Sequence, residues 1–208
     1  MSDSGQETEI KFYIRDLERL EARLRDLGAQ LIQPRVLETN IRYDLPDARL
    51  RSEGRVLRLR QDTAARLTYK SASQKEQGIL SREEIEFTVE DFEKAKRFLE
   101  ALGYERLAYY EKYRTTYELN ETLIMLDELP YGGFIEIEGE NDKSIRRVAD
   151  QLNLNWEAAA GTSYLALFER LCDIMRLSFR DVSFANFAGI KVAAADLDVQ
   201  AADDKPDS

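Results

Sequence analysis

An α+β fold dominated by antiparallel strands is predicted by three features of the 208-residue sequence. Runs of alternating polar and apolar residues recur, two short amphipathic segments each end at a glycine, and turn residues separate the alternating runs. An apolar share of 43%, with ten Tyr and nine Phe, suffices to bury one core. The reading is therefore one domain over 1–180 followed by a C-terminal extension over 181–208.

Taken in order, ETEIKFYI (7–14) alternates with period two and predicts a strand with one charged face. DLERLEARLRDLG follows, where Leu17, Leu20, Leu24 and Leu27 recur at helical spacing, Asp16 is placed to cap the start and Gly28 the end. QLIQPRVLETNIRYDL reads as extended, LPDARLRSEGR supplies turn residues, and VLRLRQD and RLTYKSA are short alternating runs. SQKEQG is a turn before the alternating ILSREEIEFTV, and DFEKAKRFLEALG is a second helix closed by Gly103. The strands YERLAYYEKYRTTYEL, TLIMLDEL and FIEIEGE are separated by Asn120-Glu121 and by PYGG, both of which suit tight hairpins. Helical spacing returns in DKSIRRVADQL and SYLALFERLCDIM. The aromatic LSFRDVSFANFAG is expected to pack on the body, and the acidic, small-residue-rich AAADLDVQAADDKPDS to be disordered.

Composition narrows the chemistry. The sequence has no histidine, which excludes Ser-His-Asp and Cys-His pairs, phosphohistidine relays and the usual zinc sites. Cys172 is alone, so neither an intrachain disulfide nor a Cys-based metal site can form. A net charge of -10 disfavours a large nucleic-acid footprint. The opening MSDSGQE lacks an apolar signal region, and no run approaches the roughly 18 apolar residues of a membrane span. A cytoplasmic protein without membrane association is expected.

Charge placement within the strands is the informative pattern. Side chains alternate faces along a strand, which groups Glu7, Glu9 and Lys11; Arg58 and Arg60; Arg82, Glu84 and Glu86; Lys112 and Arg114; and Glu136 and Glu138. Lys70 is a further candidate on its own strand. These stripes are either solvated sheet faces or the inward faces of a closed barrel around a polar lumen. Carboxylates without imidazole or thiolate suit hard cations such as Mg2+ or Mn2+, and neighbouring Arg and Lys suit phosphate oxygens. No GxxxxGK[ST] or GxGxxG is present, so a P-loop or Rossmann nucleotide site is not supported.

The ordered set ETEIK (7–11), LRLR (57–60), LTYK ending at Lys70, REEIEF, EKYR and LDELPYGGFIEIE resembles the triphosphate tunnel metalloenzyme (CYTH) family over residues 7 to about 170. The resemblance implies an eight-stranded antiparallel β-barrel forming a tunnel with flanking helices. It implies metal coordination by Glu7, Glu9, Glu136 and Glu138, with Glu84 and Glu86 as further acidic wall, and triphosphate held by Lys11, Arg58, Arg60, Lys70, Lys112 and Arg114. Arg82 either touches phosphate or neutralises a carboxylate. Lys11, Glu7 and Glu9 are the candidate catalytic residues, a metal-activated water being assisted by Lys11 or by a glutamate. Many relatives carry an aromatic pair before the aspartate of the stretch ETNIRYD, where this chain has Arg42 before Tyr43. Asp127 is expected to be a turn or hairpin residue, and Ser163 and Tyr164 packing or capping residues.

The expected activity is hydrolysis of inorganic or organic triphosphate (inorganic triphosphate, thiamine triphosphate or ATP) with Mg2+ or Mn2+. A class IV adenylate cyclase is the alternative, and a non-catalytic polyphosphate-binding module the second. A homodimer is compatible with the resemblance.

Overall fold

The computed structural model describes residues 6–76 and 79–204, with 6, 7, 75, 76, 79 and 80 described by backbone alone. The strands are β1 (Gln6–Ile14), β2 (Gln30–Asp44), β3 (Val56–Gln61), β4 (Ala65–Lys70), β5 (Gln74–Glu76), β6 (Ile79–Val89), β7 (Glu105–Leu119), β8 (Thr122–Leu129) and β9 (Gly132–Glu138). The helices are α1 (Leu17–Asp26), α2 (Arg49–Ser52), α3 (Phe92–Ala101), α4 (Asp142–Gln151), α5 (Tyr164–Met175) and α6 (Ala194–Leu197).

Local chemistry sets the element ends as the sequence predicts. The Asp16 carboxylate accepts from the Arg19 amide at 2.9 Å, and Asp91 from that of Lys94 at 2.8 Å, satisfying amides that a helix start leaves open. Gly28 and Gly103 follow α1 and α3 at φ of +78° and +87°, a conformation a side chain resists. Asn120 and Glu121 both adopt positive φ, as a two-residue hairpin between right-twisted strands requires.

The strands pair antiparallel in the order β1-β9-β8-β7-β2-β3-β4-β6, and β6 pairs back onto β1, closing an eight-stranded ring; β5 adds only to β6. The barrel reading of the stripes is thus the observed one. Closure gives the ring an inside, and alternation then sends most of the strands' apolar residues outward, Val56, Leu123 and Met125 being lumen-facing exceptions. Outside, Ile10, Phe12, Ile135 and Ile137 meet Leu20 and Leu24 of α1 and Ile145 and Val148 of α4 in one core. A second core joins Tyr131 and Phe134 to Leu167, Phe168 and Leu171 of α5 and to Phe187, and a third packs Leu57 and Leu59 on Leu99 of α3. No described helix is long and apolar enough to cross a membrane.

The disorder expected from Ala193 onward is corrected over 193–204. There Leu197, Ala201 and Ala202 are buried, and Tyr13 bridges to Ala201. The Asp203 carboxylate accepts the Arg15 amide at 3.1 Å and the Asp16 amide at 2.9 Å. Small residues let the segment lie close along β1, and an acidic one meets backbone donors just before α1; composition registers neither. Residues 205–208 lie outside the described set.

Candidate active site in the lumen of the strand ring

The inward faces enclose a cavity of about 630 Å³. Among the described residues nine cations and seven carboxylates line it, so an acidic chain surrounds a lumen of net positive charge. Lys11, Arg58, Arg60, Lys70, Arg82, Lys112 and Arg114 all line it, as do Glu9, Glu84, Glu86, Glu136 and Glu138. Glu7 stands opposite Arg82 in the β1–β6 ladder, and its side chain lies outside the described set.

On the β1–β9 wall, Glu9 stands directly across from Glu138 and Lys11 from Glu136. The Lys11 ammonium lies 2.7 Å from Glu136, whose other oxygen is also held by Arg114. Burial works against both charges of this pair. Lys11, Arg114 and Lys112 nevertheless hold the Glu136 carboxyl well below its usual range, and Glu136, Glu9 and Asp127 hold Lys11 above its own. Lys11 is therefore a fixed cation at neutral pH, which argues against its expected role as a base.

Beneath the β7–β8 wall lies a charge hub centred on Asp127, whose side chain is inaccessible to solvent. It accepts from Lys112 at 2.9 Å, from Arg114 through two contacts at 2.6 and 2.5 Å, and from the Tyr164 hydroxyl at 2.8 Å. The expectation of a turn residue is corrected: Asp127 sits inside β8, three positions before the PYGG turn, and alternation turns it to the lumen. Ser163 caps α5 as expected, accepting from the Ala166 amide at 3.2 Å. Tyr164 does more than pack, because its hydroxyl fixes Asp127 while its ring lies 4.3 Å below the Lys11 ammonium.

Glu38 is a lumen residue that the sequence reading missed. It is 2% exposed and lies 3.5 Å from Lys112, 3.6 Å from Arg60 and 4.0 Å from Arg114. Burial raises its pKa, but Lys112, Arg114, Arg60 and Arg58 outweigh that and bring it to about 2. The available signal was the alternation Glu38, Asn40, Arg42 along β2, the same rule that found the other stripes. Applied to β4 and β7, it also yields Arg66 and Tyr110, which line the cavity.

The β3–β4–β6 wall is a ladder of paired charges. Lys70 meets Glu84 at 2.8 Å, Arg60 meets Glu86 at 3.0 Å, and the buried Thr68 hydroxyl donates to Glu86 at 2.7 Å. Arg82 lies 3.5 Å from Glu9.

Among the described residues no three carboxylates are gathered at metal-ligating spacing. Glu9 and Glu138, however, stand directly opposite on adjacent strands and bring two carboxylates together, with Arg82 as a cation beside Glu9. Their oxygen donors suit Mg2+ or Mn2+, which keep water and phosphate as remaining ligands, so the residues fit such an ion.

The sequence profile of the CYTH domain matches residues 5–159, ending before α5. A Methanocaldococcus jannaschii protein named as a candidate adenylate cyclase is 28% identical over 172 residues, 77% of this chain and 97% of its own. Among solved structures, a candidate adenylate cyclase from Vibrio parahaemolyticus superposes with a TM-score of 0.70 at 20% identity, over 80% of this chain and 99% of that one. A Hippeastrum protein, described as a candidate adenylyl cyclase with a dominant triphosphatase activity, gives 0.59 at 18% identity, over 78% and 95%.

Proposed function

The chain belongs to the CYTH domain family, and we propose that within it this protein is a divalent-metal-dependent triphosphatase that takes an inorganic or organic triphosphate into the strand ring. The observation that most supports this is the lumen's charge order, with nine cations against seven carboxylates among the described lining residues in a chain of net charge -10, and Glu9 and Glu138 facing each other across two strands. An enclosed cationic wall matches a polyanion, and the adjacent carboxylates match the cation that accompanies it.

In this reading Arg58, Arg60, Lys70, Arg82, Lys112 and Arg114 hold phosphoryl oxygens. Each has a carboxylate neighbour, so an incoming phosphate exchanges one anionic partner for another. Glu84 and Glu86, which Lys70 and Arg60 engage, serve as those exchange partners and as further acidic wall for the metal. Glu9 and Glu138 would hold Mg2+ or Mn2+, with Glu7 and Glu136 as further oxygen donors. A bound ion supplies charge neutralisation on the phosphoryl oxygens and makes water a better nucleophile. Water oxygen adds to the terminal phosphorus, the bridging P–O bond breaks to release phosphate, and the proton leaves through a lumen carboxylate. Lys11 stabilises the developing charge as a cation.

Hydrolysis stands ahead of cyclisation because forming a cyclic nucleotide also requires a surface that orients the nucleoside. The rings of the tyrosines lining the lumen are not free to stack on a base: Tyr164 has Lys11 over its ring and Asp127 on its hydroxyl, and the Tyr110 ring packs in the α5 core while its hydroxyl end reaches the cavity. In the Hippeastrum protein the same fold carries a dominant triphosphatase activity. The second reading, adenylate cyclase, is favoured by the name of the M. jannaschii relative.

The test measures phosphate release and cyclic AMP in parallel from inorganic triphosphate, thiamine triphosphate and ATP with Mg2+ or Mn2+. Glu9→Gln and Glu138→Gln serve as controls. Metal-dependent phosphate release without cyclic AMP, lost in both controls, is expected. Cyclic AMP with pyrophosphate establishes the cyclase instead, and tight binding without any product establishes a polyphosphate-binding module.

A further inference from the structure

Of the cations lining the lumen, Arg42 is the one without an ion-pair partner among the described residues; the other eight each have a carboxylate within 4.0 Å. It stands directly opposite Arg58 across the β2–β3 ladder, and the Nε atoms of both are buried without a hydrogen-bond partner. Like charges placed opposite one another in a ladder repel, and a buried donor left unmade is costly. The nearest acid along β2, Asp44, has its oxygens committed to the amides of Leu45, Leu50 and Arg51 at 2.8 to 2.9 Å. Burial lowers the Arg42 pKa, Tyr110 works against that, and the nearby Arg58, Arg82 and Arg51 lower it further, so positive charge is in excess in this corner. In the same corner the Tyr110 phenol is held below its usual range: burial raises it, and Arg58, Lys112 and Arg42 outweigh that.

The corner lies at the end of the ring that α5 covers. Residues Thr162 to Leu165 line the cavity, and Arg51, in the helix that follows β2, pairs with Glu169 of α5 at 2.8 Å. A ligand reaching this end must be compact and anionic. We propose that Arg42 and the Tyr110 hydroxyl, beside Arg58 at the edge of the triphosphate-binding set, extend that set by one anion subsite, and that this subsite takes the terminal phosphoryl group of a linear polyphosphate longer than triphosphate, entering end-first. This rests on the triphosphate reading above and extends it to a preference for chain length.

The experiment is calorimetric titration of the full chain with inorganic triphosphate and tetraphosphate, in chelator so that neither is consumed. Wild type is expected to bind tetraphosphate about tenfold tighter, the scale of one charge-assisted hydrogen bond. Arg42→Gln should bring the ratio to about one and Arg42→Lys retain part of it, whereas Arg60→Gln should weaken both ligands and leave the ratio intact. If Arg42→Gln does not fold, Tyr110→Phe replaces it and is expected to reduce the ratio. Equal wild-type affinity for the two ligands, or a ratio that survives the substitutions, overturns the subsite while leaving the triphosphatase reading standing. Failure of wild type to bind either ligand in chelator overturns the subsite as a metal-independent anion site, while the triphosphatase reading stands or falls separately on metal-dependent phosphate release.

Discussion

Replacing Glu38 by Gln tests whether the lumen's charges are matched in the folded state as the distances indicate. Glu38 is 2% exposed among Lys112, Arg60 and Arg114, and its pKa falls from 4.5 to about 2. A depressed carboxylate pKa means that the unfolded chain binds the proton more readily, so its contribution is complete above the unfolded value and fades as pH falls toward the folded one. A fall from 4.5 to about 2 corresponds to about 3 kcal/mol at pH 7, of which less than half survives at pH 3. Glutamine reproduces the protonated shape without the charge. Urea unfolding of wild type and Glu38→Gln at pH 7, 5, 4 and 3 should therefore show a gap near 3 kcal/mol that narrows steadily below pH 5. A gap independent of pH, or a variant as stable as wild type at pH 7, would refute the reasoning, since either result means that the cations do not depend on this carboxylate.

Two further substitutions test parts of the fold that composition misread. Asp127→Ala strips the shared acceptor from Lys112, Arg114 and Tyr164 and should cost roughly 3–5 kcal/mol, a fall of about 6–20 °C in the thermal midpoint. A drop of only a degree or two would return Asp127 to an ordinary turn role. Asp203→Ala should cost about 1 kcal/mol, or about 2–4 °C, because the Arg15 and Asp16 amides lose their acceptor. An unchanged midpoint in the full chain would mean that the C-terminal segment adds nothing through this contact.

Much of the site is legible because strand periodicity is a local property. Whether Arg58 and Arg60 share a face depends only on their being two apart in an extended chain, and the same holds for Glu136 and Glu138. The rule was equally available for Glu38 and Arg42, but an extended stretch carrying Gln, Thr and Asn between its charges shows less contrast than VLRLRQ. Asp127 was hidden differently: its neighbour Glu128 and the PYGG turn look like hairpin chemistry, and only the register places one of the two acids inward.

The sequence by itself determined the alternation of faces along the strands, where α1, α3, α4 and α5 lie, and that any chemistry here uses carboxylates, Lys and Arg without imidazole. Tertiary structure decided the rest. That the charged faces turn inward follows from β6 pairing with β1, a contact between strands more than 70 residues apart that no local pattern encodes. Closure in turn set which carboxylate each cation meets, leaving Glu9 facing Glu138 and Arg42 facing Arg58. Charge at a position is written in the sequence, whereas the field it experiences is a sum over neighbours that only the closed ring brings together.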